Sequence, residues 1–137
     1  MKKSAFLMSV ALVFGGGCAH ATEAAPPLEY SDHAILTYPD QVLLKNWALS
    51  RCIAAIAKNE NAKEDAYSTA GAYFEFAAYS LETYAELDAL VNRYVRKRYS
   101  GSMPSEFNTM KCIDMFHSQE LEKIVMTVVD RAKALKE

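Results

Sequence analysis

The sequence predicts an all-α fold, a compact bundle of about five helices stapled by one disulfide, and three observations lead there. Apolar residues recur at three- and four-residue steps along most of the chain. Capping residues and breakers cut that pattern into segments of helix length. No stretch alternates apolar and polar residues between turn signals; the apolar run at 124–129 lies inside a helical period. A chain of 137 residues, 51% hydrophobic and 23% charged, fits one globular domain and is too apolar for disorder.

The first 21 residues stand apart from that domain. Lys2 and Lys3 precede an uninterrupted small and apolar run at 5–14, and Ala19-His20-Ala21 places small residues where a signal peptidase reads. The run is shorter than the ~20 residues a membrane-spanning helix needs. Residues 1–21 therefore read as a cleaved secretory signal, with no membrane insertion after cleavage and a periplasmic destination. Gly15-Gly16-Gly17-Cys18 permits a lipoprotein reading with Cys18 lipidated, but Gly15 stands where such sites carry a leucine-like residue. Cleavage leaves 13 basic against 17 acidic residues, a net charge of −4. That balance argues against a nucleic-acid surface, which concentrates positive charge on one face.

Cleavage also leaves two cysteines, Cys52 and Cys112, in an oxidising compartment where pairing is the default. Closing a loop of that length stabilises by about 4 kcal/mol on the chain-entropy account.

The elements follow in order. Residues 22–36, with Pro26-Pro27 and no apolar period, form a flexible lead-in that includes an isolated His33. The helical domain then occupies 37–137. Thr37, Pro39 and Asp40 open a first helix, whose stripe of Leu44, Trp47, Ala48, Cys52, Ala55 and Ile56 ends at Lys58-Asn59. Asn61 and Glu64 open a second, with Ala66, Ala70, Tyr73, Phe74, Ala77, Ala78 and Leu81 on one face. Its alanines suit close helix contact, and close packing would explain Gly71, which otherwise costs about 1 kcal/mol of helix propensity. Tyr67, Phe76 and Tyr79 widen that face into either core or an interface.

Thr83 and Glu86 form a capping box for a third helix striped by Leu87, Leu90, Val91, Tyr94 and Val95. Arg93, Arg96, Lys97 and Arg98 gather where cations meet the negative end of the helix dipole. Ser100-Gly101-Ser102 and Pro104 break the chain. Ser105 caps a short fourth helix with Cys112, Ile113 and Phe116 on its apolar side. Ser118 and Glu120 open the fifth, striped by Leu121, Ile124, Val125, Val128, Ala132 and Leu135.

Catalytic chemistry is not legible. Cys112 and His117 point roughly 140° apart on a helix, so they cannot act as a thiol–imidazole pair. Asp114 and His117, three residues apart, suit a local helix-end contact. No zinc spacing, glycine-rich phosphate loop or Gly-x-Ser-x-Gly elbow occurs. The residues thus imply no enzyme, no cofactor and no resident metal. Exported binding or stress proteins with an aromatic helical groove for small molecules or peptides are the competing class.

Three segments carry a resemblance. Leu49-Ser50-Arg51-Cys52-Ile53 lies in the first helix, residues 90–99 in the third, and Met-Lys-Cys-Ile-Asp-Met-Phe-His-Ser-Gln-Glu-Leu at 110–121 is the most specific. Together they resemble the periplasmic immunity proteins that neutralise the fourth class of amidase effectors delivered by type VI secretion, over residues 38–126. The resemblance implies a helical protein, a homodimer, that binds a cysteine–histidine amidase cutting the D-glutamyl–diaminopimelate bond of peptidoglycan. It further implies inhibition by a protruding loop that occludes the catalytic cleft. The segment 100–108 is the longest non-helical insertion between helices. Its candidate partner-binding residues are Ser100, Gly101, Ser102, Met103, Pro104, Ser105 and Glu106. A proline-limited loop between two helices loses little entropy on binding. Ser102 and Ser105 could engage the cysteine–histidine pair, Met103 an apolar slot and Glu106 a basic rim.

Overall fold

A computed structural model describes residues 34–135. The expected signal segment, Cys18 and most of the lead-in, His33 included, lie outside the described residues. Within them the chain forms a 3-10 turn at Ala34–Thr37 and five helices: α1 Asp40–Ile56, α2 Glu60–Phe76, α3 Leu81–Val95, α4 Asn108–Phe116 and α5 Gln119–Ala134. No strand occurs among the described residues.

The first helix is the axle. It packs against each of the other four, whereas α2 rests chiefly on α1 and the 3-10 turn. That position explains why α1 buries more than one stripe: Leu43, Leu44, Trp47, Ala48, Ser50, Cys52 and Ala54 all turn inward. Ala55, expected in the core, is exposed and Ala54 takes its place, because α1 has neighbours on several sides. Leu44, Leu87, Leu90, Met115, Leu121 and Val125 close the centre. Burying a side chain of that kind contributes about 1.5–3 kcal/mol.

Polar contacts tie the layers. The Arg51 guanidinium donates to both carboxylate oxygens of Asp88 at 2.9 and 3.1 Å, joining α1 to α3. The same group lies 4.9 Å from the Tyr67 ring centroid, which brings in α2. The Tyr84 hydroxyl donates to the Ala77 carbonyl just past the end of α2. Cys52 and Cys112 are joined as a disulfide with Cα atoms 5.7 Å apart, fastening α1 to α4.

Several helix starts differ from the sequence reading. Asn59, not Asn61, caps α2, its side chain accepting from the Ala62 amide. Asn59, read as the close of the first helix, caps the second because only residues 57–59 separate the two. The third helix begins after Ser80, one turn before the expected box; Thr83 is buried inside it. Pro39 stands at the N-cap of α1, with no side-chain cap bond. The residue before α4 is Phe107, and Ser105 instead accepts from the Phe107 amide. Ser118 caps α5 as expected, accepting from the Leu121 amide.

The second helix is thinly buried. Ala66 and Ala70 face α1, and Ala77 follows; Tyr73 and Phe76 pack half-buried against the core, while Tyr67, Phe74, Ala78 and Leu81 are exposed. Close packing does not account for Gly71, which is exposed and has nothing within 4 Å of where a Cβ would sit. Ile113 in α4 and Leu135 beyond α5, both assigned to core stripes, are also exposed. In α4 the inward residues are Lys111, Cys112 and Met115.

Candidate functional site: the loop between α3 and α4

Residues 96–107 connect α3 to α4 without a helix. The seven residues singled out from the sequence, Ser100 to Glu106 by number, fall together here and all are exposed. Met103 is 71% exposed, a large apolar side chain held out with no core contact. Surface alone makes neither an inhibitor nor a linker. The way the segment is held is more informative.

Its neck is tied at both ends. Lys111, only 7% exposed, donates from its ammonium to the Val95 carbonyl at 3.2 Å and to the Asn108 side-chain oxygen at 2.9 Å. One cation thus joins the last residue of α3 to the first of α4, where orphan helix carbonyls and side-chain dipoles favour it. The Tyr99 hydroxyl donates to Asp114 at 2.6 Å, a second tie from the entrance to α4. That bond, with smaller burial and charge effects, pushes the Tyr99 phenol up to about 12.

The exit is fixed as well. The Asn108 side-chain amide donates to Glu106 at 2.8 Å, and Lys58, in the α1–α2 turn, approaches the same carboxylate at 3.6 Å. The Asn108 bond first and the Lys58 charge second hold the Glu106 carboxyl below the usual glutamate range. Phe107 has left-handed backbone, φ 51° and ψ 36°, and is the only described non-glycine residue with positive φ. Its ring returns over Gly101, so that a Cβ on that glycine would lie 2.7 Å from the ring tip. Beneath the loop runs an open groove of about 1000 Å³ whose apolar wall includes Ile56, Phe107, Met110 and Ile113.

The basic residues at the loop entrance divide. Arg93 faces Glu120 at 3.6 Å and the Lys97 ammonium sits 3.3 Å from the Tyr94 ring centroid, while Arg96 and Arg98 are exposed beside the loop. No catalytic set assembles nearby. Cys112 is disulfide-bonded, Asp114 is occupied by Tyr99, and His117 lies edge-on to Phe116 instead of meeting Asp114. No cluster of three or more metal-ligating side chains occurs among the described residues. The arrangement is a shaped, exposed segment on a rigid base, suited to binding. The sequence reading singled out the exposed segment and did not anticipate the contacts of Lys111, Tyr99 and Phe107, which join residues from different elements.

Comparisons with known proteins place the chain as a whole. The type VI secretion system amidase immunity protein family, Tai4, matches residues 42–125. Among curated proteins no sequence matches. Among solved structures, the chain is similar to one of the Tae4/Tai4 effector–immunity system from Salmonella typhimurium, at 43% identity and a TM-score of 0.66. The match covers 69% of this chain and 94% of the other. A complex of Salmonella typhimurium Tae4 with the Enterobacter cloacae immunity protein Tai4 gives 26% identity and a TM-score of 0.59, covering 65% and 92%. A structure from work on type VI-secreted toxins and self-resistance proteins of Serratia marcescens gives 26% and 0.68, covering 78% and 87%. With the family matching well over half of its length, the chain belongs to the type VI secretion system amidase immunity protein family.

Proposed function

We propose that this immunity protein binds a type VI-secreted peptidoglycan amidase in the periplasm and occludes its catalytic cleft with residues 100–106. It acts as an inhibitor and not as an enzyme. The observation that carries the reading is the loop itself, exposed along 100–106 yet anchored at its neck by Lys111 and Tyr99. Such ties remove part of the conformational freedom that the segment would otherwise lose on entering a cleft. Family membership supplies the class of partner. The sequence pattern at 1–21 and the Cys52–Cys112 disulfide support an oxidising, extracytoplasmic compartment. Two copies are expected to associate. The exposed Ile53, Met110 and Ile113 flanking the disulfide, and Tyr67 and Phe74 on α2, are apolar surface available for that contact.

Replacing residues 102–106 by glycine and serine tests the loop. Binding to Salmonella Tae4, the probe, should weaken at least about a hundredfold, as for loss of a hot spot. The helical circular dichroism should persist. Unchanged affinity would move the site elsewhere, most plainly to the aromatic side of α2.

A further inference from the structure

Phe107 occupies a conformation that a bulky side chain rarely adopts, and such outliers persist only where the surroundings impose them. What the conformation achieves is visible in the contact it makes. The chain turns back into α4 while the ring reaches across the loop and lies against Gly101. Gly101 has no positive φ, so what a side chain there would displace is this ring, and its own backbone imposes no glycine. The hydroxyl of Ser105 then takes the Phe107 amide at 3.1 Å. Below this, Lys111 pinches the neck.

We infer that Phe107 and Gly101 form a clasp that sets the shape of the 100–106 segment before any partner arrives, with Lys111 closing its base. These are positioning residues, distinct from the exposed side chains that would touch the amidase. The inference rests on the loop reading above. If only a fraction of molecules holds the binding shape, the apparent dissociation constant rises by the inverse of that fraction. The clasp raises that fraction. Its loss should slow association and leave dissociation nearly unchanged, because the bound contacts are the same.

Salmonella Tae4 serves as the probe in a kinetic binding assay on the full mature chain. Gly101→Ala pushes a methyl group into the ring and should slow association roughly tenfold, with dissociation within about twofold of wild type. Phe107→Ala should do the same. The double variant should be no worse than Phe107→Ala alone, because the added methyl then meets no ring. Additive losses would overturn the clasp, and so would a faster dissociation that marks Phe107 as a direct contact. Gly101→Ala lies on the surface, so the test survives if Phe107→Ala fails to fold. Unchanged kinetics in both single variants, with binding lost on glycine–serine replacement of 102–106, would refute the clasp and spare the loop reading. No effect from any of these changes would refute both.

Discussion

Breaking the Cys52–Cys112 bond is the perturbation whose size can be worked out most fully. The two residues are 60 apart in sequence, and closing a loop of that length removes chain entropy worth about 4 kcal/mol at 25 °C from the unfolded state. Against a typical domain stability of about 5–15 kcal/mol, that is a large share. For a domain of this size it translates to a melting temperature lower by roughly 15–30 °C. Both cysteines are buried, so a Cys52→Ala/Cys112→Ala chain also loses core contacts and should fall below the reduced wild type. The assay is urea denaturation followed by circular dichroism, comparing oxidised protein, protein refolded under reductant, and the alanine pair. The loss should concentrate at α4. That helix has nine residues, too few to persist alone, and the disulfide is its covalent tie to α1. Amides of α4 should therefore exchange first with deuterium once the bond is reduced. Coincident urea midpoints for oxidised and reduced protein would refute the reasoning, since the staple would then contribute nothing to the fold.

Two further outcomes follow from positions where the structure is specific. Gly71→Ala should stabilise the fold by about 0.5–1 kcal/mol, because the site is helical, exposed and open; a lower melting temperature would reveal a packing role. Asp114→Asn should return the Tyr99 phenol from about 12 toward the ordinary tyrosine value, read by difference absorbance against the parent. Folding favours the protonated phenol, so the Tyr99–Asp114 tie is complete below the ordinary tyrosine value and lost as pH rises through about 12. Identical alkaline titrations of parent and variant would show that the bond does not form.

The parts of the fold that the sequence revealed are those governed by neighbours along the chain. Ser118 was legible as a cap because its hydroxyl serves an amide three residues away. Cys52 on a helical stripe and Cys112 in the fourth helix were legible because a period of 3.6 marks the buried side. Thr83 misled because the capping-box pattern recurs one turn later than the true cap, and burial of Thr83 is a tertiary fact. Gly71 misled for the same reason, since a glycine in a helix looks alike whether a neighbour presses on it or not. Lys111 is the sharpest case. A lysine beside a core cysteine reads as surface, yet this one is buried, because the packing of α3 beside α4 brings the Val95 carbonyl to its ammonium, next to Asn108 of its own helix.

On the proposed reading, the same division separates stability from recognition. Side chains at 100–106 are exposed and add nothing to the core cluster, so substitutions there should change the fold little. Three of these residues, Gly101, Ser105 and Glu106, also meet Phe107, Asn108 or Lys58 and belong to the frame, together with Lys111 and with Tyr99, which is tied to Asp114 of α4. The fourth helix is in turn fixed to the central α1 by the disulfide. If the loop meets the amidase as proposed, the fit can be altered at Ser100, Ser102, Met103 and Pro104 while the frame stays constant. A change at the neck would instead disturb the presentation of every exposed residue at once. That asymmetry follows from where the buried contacts lie, and it makes the neck the place where one substitution should weaken binding without removing a single contact to the partner.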